Sequence, residues 1–429
     1  MLASNEEDNI GSSGQPLSIA ILGFGTVGQA AARILVSSAH SQLRLTHIYN
    51  RDIARKKADW ISSQVVWTQE IEEVLASDVD VVVELIGGLT PAKQWIQRAL
   101  EAGKSVVTAN KQVISEYGID LIQVAHRSGQ QLLFEAAVAG GIPVIRGLKE
   151  GVAGDRLYQI LGILNGTCNY ILTQIESEGV SFNTALGKAQ QLGFAEVDPS
   201  ADVEGWDSQA KLAILSSVGF GRQLSVSEIP VRSIAPIEPI DFTYANRLGC
   251  TIRQVSRAKI VGRKVEASVL PALVPLSSTL ARIQNNQNLV VVAGEFSGET
   301  AFSGFGAGGE PTAVAVVSDL LSIARVPVLP ARQIQLTTFC ETIPYFLSPH
   351  YVRFIVKDQP GIIAQLANIF VQNDVNIDAV LQESGLSKSE LPFVVSLDAC
   401  RSDVVLKAIQ EIQKFDFLVK EPLWLPILN

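Results

Sequence analysis

The sequence predicts a multidomain α/β protein: a doubly wound parallel sheet at the amino-terminal end, then an α+β block, then a βαββαβ module. Three observations carry this prediction. The chain has 429 residues, enough for two to four domains of about 100 to 200 residues each. Short apolar runs alternate with helical patterns in the first third, and strand and helix patterns alternate again over residues 349–429.

The composition indicates a globular protein that binds a small molecule. Hydrophobic residues make up 47% of the chain and charged residues 18%, which is too apolar for disorder. The net charge of −9 leaves no basic surplus for nucleic acid or an anionic membrane, so neither is expected as a partner. Only the acidic, Ser- and Gly-rich residues 1–15 are expected to be disordered.

Cysteine usage and the absence of targeting signals favour a cytoplasmic location. The four cysteines show no CxxC spacing, so neither a disulfide framework nor a zinc site is indicated. The amino terminus lacks the apolar core of a secretory signal, and no stretch offers 18 uninterrupted apolar residues. We expect reduced thiols and a protein that is neither exported nor membrane-spanning.

The first apolar run is followed by glycines in GxGxxG spacing and then by a helical pattern. Gly23 allows the tight turn, Gly25 lets a pyrophosphate approach the backbone, and Gly28 lets the helix close on the strand. An ordinary Gly-rich turn can carry the same spacing. Because a strand precedes and a helix pattern follows, we predict a Rossmann-type NAD(P)-binding domain over residues 16–150.

The end of the second strand indicates which nucleotide is bound. About 20 residues after the glycines, NAD-binding proteins carry an acid that binds the ribose 2′-hydroxyl. This chain has Asn50 and Arg51 there. An arginine can pair with a 2′-phosphate, so NADP(H) is predicted to be preferred, with NAD(H) as the second choice. The alternative for Arg51 is a solvated loop charge.

Polar residues and glycines follow the later strands of the predicted parallel sheet. Ligands bind beyond the carboxyl ends of such strands, so cofactor and substrate are expected to meet near Gly87, Gly88, Thr90, Asn110, Lys111 and Glu135. A surface lysine that caps a sheet edge is an equally good interpretation of Lys111.

An acidic segment precedes a single lysine in "AEVDPSADVEGWDSQAKLAILSSVGFG", residues 195–221. Asp198 and Pro199 predict a helix start, and beyond it Asp207 and Lys211 stand four apart. Such pairs are most often solvated and weak. The stretch after Lys211 is almost uncharged, however, and is therefore expected to be buried. Burial lowers the pKa of a lysine toward the range where it exchanges protons.

Lysine is also the proton carrier that remains when histidine is set aside. The four histidines lie in none of the Gly-rich or acidic motifs, yet a hydride-transfer enzyme needs a proton donor and acceptor. Lys211 is therefore the candidate. Glu196, Asp202 and Asp207 can hold the ammonium of an amino-acid substrate and orient Lys211. One or two of the acids can instead serve only the helix amino terminus, above all Glu204.

Six motifs in order resemble those of homoserine dehydrogenases over nearly the whole chain: "GFGTVG", "TANK", "EAAVAGGIPVIRGLKEG", "GILNGTCNYIL", "AEVDPSADVEGWDSQAKLAIL" and "GFGAGGEPTAVAVVSDLL". The resemblance implies reversible NAD(P)H-dependent reduction of L-aspartate 4-semialdehyde to L-homoserine, on the route to threonine and methionine. It implies that Lys211 is the proton donor and acceptor and Glu196 the homoserine-binding carboxylate. Asp202 and Asp207 would support substrate and lysine, and Lys111 would lie near both nicotinamide and substrate.

The resemblance also implies cofactor and cation contacts. The matching cofactor positions are Gly23, Phe24, Gly25, Thr26, Val27 and Gly28 in the phosphate turn, Asn50 and Arg51 after the second strand, Thr90 and Lys111 on the nicotinamide side, and Gly308 in a return loop. The positions matching a sodium or potassium site, built largely from backbone carbonyls, are Glu135, Val138, Gly140 and Ile142.

One residue departs from the family pattern. Cys168 stands in "NGTCNYI", where the family usually has threonine. We expect the cysteine to pack inertly in its place. The alternative, sensitivity to oxidation, requires exposure.

The middle and the tail complete the predicted domain order. Residues 151–309 are predicted to form the substrate-binding and dimerisation domain, and the helix and connector at about 310–340 to complete the nucleotide domain. Residues 349–429 form a ferredoxin-like pattern that resembles an ACT domain. The resemblance implies an amino-acid effector near Asp358, Gln359, Pro360 and Gly361, threonine feedback, and a homodimer or tetramer. A dimerisation module without a ligand is the alternative.

Two other functions remain open at this point. A related semialdehyde or amino-acid oxidoreductase would use the same Glu196 and Lys211 on another substrate. A non-catalytic NADP-binding amino-acid sensor is expected to have lost Lys211 or Asp207, and both are present.

Overall fold

The computed structural model describes residues 15–37, 40–326 and 338–428. Residues 1–14 of the segment predicted to be disordered, and residues 327–337 of the predicted connector, lie outside the described residues. The chain divides into two compact units, each described by itself. The first contains residues 15–37, 40–110, 120–134 and 313–326, and the second contains residues 111–119, 135–312 and 338–428.

The amino-terminal elements alternate strand and helix. They are β1 (Leu17–Leu22), α1 (Thr26–Val36), β2 (Leu43–Tyr49), α2 (Ile53–Lys56), β3 (Val66–Thr68), α3 (Ile71–Ala76), β4 (Val81–Glu84), α4 (Ala92–Glu101), β5 (Ser105–Thr108), α5 (Lys111–Arg127) and β6 (Leu132–Leu133). The six strands are parallel in the order β3-β2-β1-β4-β5-β6. The strand order reverses between β1 and β4, which is the dinucleotide-binding arrangement, so the predicted doubly wound sheet is confirmed.

The middle of the chain is an α+β region. Its elements are α6 (Val144–Arg146), β7 (Leu157–Ile163), α7 (Gly166–Glu178), α8 (Phe182–Gln191), α9 (Ser200–Val203), α10 (Trp206–Phe220), β8 (Arg222–Gln223), α11 (Pro239–Arg247), β9 (Cys250–Val261), β10 (Lys264–Pro275), β11 (Gln287–Gly294), β12 (Gly298–Phe305) and α12 (Gly309–Arg325). Residues 313–325 of α12 group with the first unit.

The acidic segment forms two helices, where the sequence analysis predicted one. Asp198 accepts hydrogen bonds from Ser200, and α9 ends after one turn. Gly205, at a φ of 90°, then starts α10, since glycine adopts this left-handed conformation without strain. Because α10 is a separate helix, the pair Asp207 and Lys211 lies in its first two turns.

The carboxyl-terminal elements are β13 (Thr338–Phe339), β14 (Thr342–Ile343), β15 (Leu347–Val356), α13 (Ile362–Gln372), β16 (Ile377–Gln382), β17 (Leu391–Arg401), α14 (Ser402–Ile412) and β18 (Leu418–Pro426). Strand β14 joins the middle sheet, whose order is β12-β11-β7-β9-β10-β14, and β13 pairs with β8. The last four strands form an antiparallel sheet in the order β16-β17-β15-β18. This is the predicted ferredoxin-like βαββαβ arrangement.

A buried carboxylate ties this last sheet to the middle region of the second unit. Asp241 in α11 is fully buried and accepts hydrogen bonds from the Tyr351 hydroxyl at 2.7 Å and from Arg353 Nη1 at 2.8 Å. Burial raises the pKa of Asp241 to about 6, against the opposing charge of Arg353. Removal of one partner from such a buried pair typically costs about 3–5 kcal/mol, so this pair stabilises the packing of α11 against β15.

Within the described ranges, no helix combines the length and the apolar character that crossing a membrane requires.

Candidate active site

The phosphate turn requires glycine at two of its three glycine positions. At Gly23, with a φ of 101°, a Cβ would lie 2.8 Å from the Leu85 carbonyl oxygen, and at Gly28 it would lie 2.1 Å from the Gly23 carbonyl oxygen. A Cβ at Gly25 would meet no atom within 4 Å, so the backbone is open there. Gly25 is also the N-cap of α1, whose first turn has no acidic residue, and such a helix start favours a bound phosphate.

The predicted cofactor residues differ in what they expose. The ring of Phe24 is fully buried and packs against Trp60 and Trp67, so its backbone is the part that can reach a ligand. The side chains of Thr26 and Arg51 are exposed. Asn50 Oδ1 accepts a hydrogen bond from the Asp52 amide and thereby shapes the turn that carries Arg51.

A buried acid that the sequence analysis did not single out supports the second glycine turn. Glu84 ends β4 with no exposure and accepts hydrogen bonds from the amides of Ile86 and Gly87 and from the Thr108 hydroxyl. Burial raises the pKa of Glu84, and these hydrogen bonds oppose the rise. Glu84 therefore fixes the turn that leads to the exposed Thr90. A charged residue at the end of the apolar run "VVVE" was the available signal.

In the second unit, both predicted lysines are paired with one carboxylate. Asp207, Lys111 and Lys211 are called the lysine centre below. Asp207 Oδ1 lies 2.6 Å from Lys111 Nζ, and Asp207 Oδ2 lies 2.7 Å from Lys211 Nζ. Lys211 and Asp207 are 8% and 6% exposed, because the apolar helix α10 is buried around them. The two ammonium groups hold the pKa of Asp207 below its usual range against the effect of burial. The charge of Asp207 raises the pKa of Lys111.

This arrangement argues against one alternative interpretation of each lysine. Lys111 is the first residue of α5 and is paired with Asp207, so the sheet-edge cap does not describe it. The pair of Asp207 and Lys211 is buried, so it is not the solvated helix pair that such spacing usually gives.

The other two predicted acids lie around this centre. Asp202 is partly buried. Burial is the larger cause of its raised pKa, and the negative charge of Asp207 is the second cause. Glu196 is exposed on the loop before α9, and its charge contributes to raising the pKa of Lys111. Lys111, Lys211, Asp202 and Glu196 thus all act electrostatically on Asp207 or on its partner Lys111.

Two groups at the end of β7, the Leu164 carbonyl and Asn165, and a third in β11, Asn288, also contribute to the centre and were missed by the sequence analysis. The Leu164 carbonyl accepts a hydrogen bond from Lys211 Nζ at 2.8 Å and one from Asn288 Nδ2 at 2.9 Å. Asn165 Nδ2 donates to Asp202 and Asp207. The motif "GILNGTCNYIL" contains Leu164 and Asn165, but a backbone carbonyl and a long-range partner such as Asn288 leave no local signal in a sequence.

Cys168 is fully buried beside these groups. Its thiol donates to the Asp202 carbonyl at 3.1 Å, the kind of contact that a threonine hydroxyl makes. Burial, then the charges of Asp202 and Asp207, raise the pKa of Cys168 well above its usual value. The thiol lacks the exposure and the low pKa that reactive cysteines have, which supports inert packing.

The segment predicted to hold a cation packs against the loop that carries Gly308. Gly140, at a φ of 54°, leaves no room for a Cβ, which would lie 2.7 Å from the Gly306 backbone. Gly141 donates its amide hydrogen to the Phe305 carbonyl. The carboxylate of Glu135 accepts hydrogen bonds from the backbone amides of Ile145 and Arg146. Gly308 itself has a φ of 118° and is exposed.

The predicted effector turn borders a cavity in the carboxyl-terminal sheet. The cavity has a volume of about 300 Å³, and its lining includes Asp358, Gln359 and Gly361 with the apolar residues Val356, Ile362 and Phe393. Pro360 is not among the residues that line it. Asp358 forms an ion pair with Lys388 at 3.4 Å.

Three family profiles match the chain in sequence order. The NAD-binding domain of homoserine dehydrogenase matches residues 23–135, homoserine dehydrogenase matches residues 143–321, and the ACT domain matches residues 350–417.

Individual relatives cover almost the whole chain. A homoserine dehydrogenase of Neisseria gonorrhoeae is 36% identical over 425 residues, which is 95% of this chain and 97% of the relative. The crystal structure of a homoserine dehydrogenase from Thiobacillus denitrificans superposes with a TM-score of 0.88 at 32% identity, covering 96% of this chain and 98% of that one. A hyperthermophilic archaeal homoserine dehydrogenase in complex with NADPH has a TM-score of 0.64 at 27% identity, covering 73% of this chain and all of that one.

The parallel-sheet domain, the lysine centre and these matches define an NAD(P)-dependent oxidoreductase that acts on a CH–OH group. The chain has a mixed α/β architecture with a carboxyl-terminal ACT domain, and the Thiobacillus denitrificans structure matches it over 96% of its length. The chain belongs to the homoserine dehydrogenase family, and the resemblance inferred from its motifs is confirmed.

Proposed function

We propose that Lys211 is the proton donor and acceptor in the reversible reduction of L-aspartate 4-semialdehyde to L-homoserine. One observation carries this proposal. An ammonium has three N–H donors, and Lys211 uses one on Asp207 Oδ2 and one on the Leu164 carbonyl. The third has no partner among the described residues and is left for a substrate oxygen. Initial rates of L-homoserine oxidation with NADP and with NAD test the proposal.

The reaction assigns a task to each member of the centre. A bound nicotinamide supplies or accepts the hydride. In the reductive direction Lys211 donates a proton to the carbonyl oxygen of the semialdehyde, and in the oxidative direction it takes the proton from the alcohol of homoserine. Asp207 holds Lys211 and Lys111 by two charge-assisted hydrogen bonds. Lys111 keeps its charge because Asp207 raises its pKa.

The remaining acids suit the amino-acid end of the substrate. Asp202 and Glu196 present carboxylates beside the lysine centre and can bind the α-ammonium of homoserine. Binding at a remote group orients the reacting carbon, and such positioning contributes to the rate. This assignment agrees with the resemblance, which implies homoserine binding by Glu196 and support of the substrate by Asp202.

The turn after β2 favours NADP(H) over NAD(H). Positions 50 and 51 hold asparagine and arginine, where NAD-binding proteins carry an acid. The exposed guanidinium of Arg51 can pair with a 2′-phosphate. The archaeal relative in complex with NADPH supports this choice. Thr90, Val27 and Gly308 are proposed as further cofactor contacts, on the resemblance of their motifs.

Arg51→Ala is expected to lower kcat/KM for NADP by about tenfold, the loss of one charge-assisted pair, and to leave kcat/KM for NAD unchanged. Arg44→Ala removes the same charge from the exposed opposite end of β2 and serves as the matched control. Equal losses for both cofactors in Arg51→Ala would contradict the 2′-phosphate contact.

The segment 135–142 is proposed to bind Na⁺ or K⁺ through backbone carbonyls. In the described turns and loops, no backbone hydrogen bond reaches the carbonyl oxygens of Val138 or Gly140, and hard cations take such oxygens as ligands. The carbonyl of Ile142 accepts one turn hydrogen bond and has a second lone pair, and Glu135 is included on the resemblance. The cation would stiffen this segment, and the proton-transfer groups lie elsewhere.

The carboxyl-terminal domain is proposed to bind threonine and to inhibit turnover. Its match to the ACT domain and the cavity beside Asp358, Gln359 and Gly361 support this proposal. The exposed edge strand β12, which pairs with no strand on its outer side among the described residues, supports assembly through the middle sheet. A homodimer or a tetramer is the proposed assembly.

Millimolar threonine is expected to suppress homoserine oxidation, and Gln359→Ala is expected to raise the half-inhibitory concentration by about tenfold, the loss of one or two hydrogen bonds. The rate of each protein without threonine is the internal reference. Gln413→Ala, at the C-cap of α14 and outside the cavity lining, is the matched control. An unmodified protein that threonine does not inhibit would leave the domain an assembly module.

A further inference from the structure

The side chain of Asn165 contacts Asp207 of the lysine centre and also the neighbouring acid Asp202. These two acids lie on different helices. Asn165 Nδ2 lies 2.7 Å from Asp202 Oδ1 and 2.9 Å from Asp207 Oδ2. Asp202 is on α9 and Asp207 is on α10. Asn165 is 5% exposed, so water does not compete strongly for these contacts.

The same side chain begins another helix. Asn165 is the N-cap of α7, and its Oδ1 accepts the Cys168 amide hydrogen at 2.8 Å. The amide can be oriented in one way only, because its oxygen faces an N–H donor and its nitrogen faces two carboxylates. Both N–H donors and the acceptor of Asn165 are therefore used, which fixes the side chain in one rotamer.

The chemistry of the contacts explains why an amide stands there. Asp202 and Asp207 repel each other, and this repulsion adds to burial in raising the pKa of Asp202. The hydrogen bond from Asn165 opposes the rise most strongly, and the charges of Lys211 and Lys111 oppose it as well. Asp207 has two lysine partners besides Asn165. Asp202 has no other side-chain hydrogen bond within the described part of the chain, so it depends more on Asn165.

We propose that Asn165 is a positioning residue for the reaction: its amide aims Asp202 toward the substrate ammonium, and it keeps the Asp202 and Asp207 carboxylates together. The inference rests on the proposed function, because it gives Asp202 the substrate ammonium. Asn165 acts through the two acids. The Leu164 carbonyl beside it binds Lys211, so residues 164 and 165 orient the base and the acids from one turn.

The test removes the amide donors and keeps the helix cap. Asn165→Ser retains a good N-cap oxygen and loses both N–H donors. Its KM for homoserine at pH 7 is expected to rise about tenfold, the loss of a hydrogen bond to a charged group, with a smaller fall in kcat. The increase in KM should shrink as the pH rises, because an acid without its donor keeps its proton to a higher pH.

Two further variants keep the result interpretable. Ser181→Ala removes the N-cap of α8 and is expected to lower the melting temperature without moving KM or its pH dependence. Asn165→Asp preserves the cap but places a third carboxylate against the two acids, so its KM is expected to exceed that of Asn165→Ser. NADPH binding, followed by fluorescence, reports that each variant is folded.

The outcomes separate the inference from the proposed function. If KM in Asn165→Ser matches that of the unmodified protein across about pH 6 to 9, or if kcat and KM change without pH dependence as the melting temperature falls, Asn165 is only a helix cap. Asp202→Asn distinguishes the two claims. An unchanged KM in Asp202→Asn contradicts the proposed role of Asp202, whereas a raised KM there with an unchanged KM in Asn165→Ser overturns the inference alone.

Discussion

Replacement of Lys211 by methionine is expected to lower kcat for homoserine oxidation by about 10³-fold, within the range that a positioned general acid–base contributes, while NADPH binds with unchanged affinity. Methionine fills a similar apolar volume but carries no proton. The phosphate turn belongs to the first compact unit and Lys211 to the second, so the substitution leaves the turn intact. Stopped-flow rates and a fluorescence titration with NADPH measure the two quantities.

Lys211→Arg separates proton transfer from charge. Arginine keeps a positive charge beside Asp207 but does not release its proton at ordinary pH. We expect turnover of Lys211→Arg to be nearly as low as that of Lys211→Met. Substantial turnover in Lys211→Arg would show that Lys211 acts as a fixed charge, and equal loss of turnover and NADPH binding in Lys211→Met would make the lysine structural.

Asp207→Ala is expected to lose turnover and, in addition, about 3–5 kcal/mol of the free energy of unfolding, because it leaves a buried ammonium without its partner. Asp207 and Lys211 are both more than nine-tenths buried, so solvent replaces little of the lost interaction. Denaturant unfolding at pH 7 measures the stability. Asp198→Asn changes an exposed acid of the same segment and is the control, with little effect expected on either quantity.

Asp207→Asn is also expected to lower the free energy of unfolding, and this loss should become smaller as the pH falls. The lysines hold the folded pKa of Asp207 below the unfolded value of about 3.9. A depressed carboxylate pKa contributes stability that is present above the unfolded pKa and is lost as the pH falls through the folded pKa. The difference between Asp207→Asn and the unmodified protein should therefore be full at pH 7 and decrease in strong acid. A deficit that grows in acid would contradict the ion-pair account.

The sequence predicted the architecture where local signals are strong. The run "LSIAIL" with its glycines predicted β1, the phosphate turn and α1, and the last strands and helices fell in the predicted ferredoxin-like order. The break of the acidic segment into α9 and α10 was not predicted, because it depends on Gly205 at a positive φ, and the glycine alone does not reveal its conformation.

The charged residues of the site could be predicted from the sequence. The polar residues that orient them could not. Lys111, Asp207 and Lys211 were predicted, since charges stand out beside apolar runs. Asn165 and Asn288 were missed, because their role comes from contacts between residues 37 to 124 positions apart. Glu84 lay between these cases, with a local signal at the end of β4 but partners on other segments.

The initial rate of L-homoserine-dependent reduction of NADP and NAD by the purified protein tests the central claim most directly. We expect turnover with homoserine, faster with NADP than with NAD, and almost none in Lys211→Met measured in parallel. No homoserine-dependent reduction of either cofactor by a protein that binds NADPH, or undiminished turnover in Lys211→Met, would contradict it.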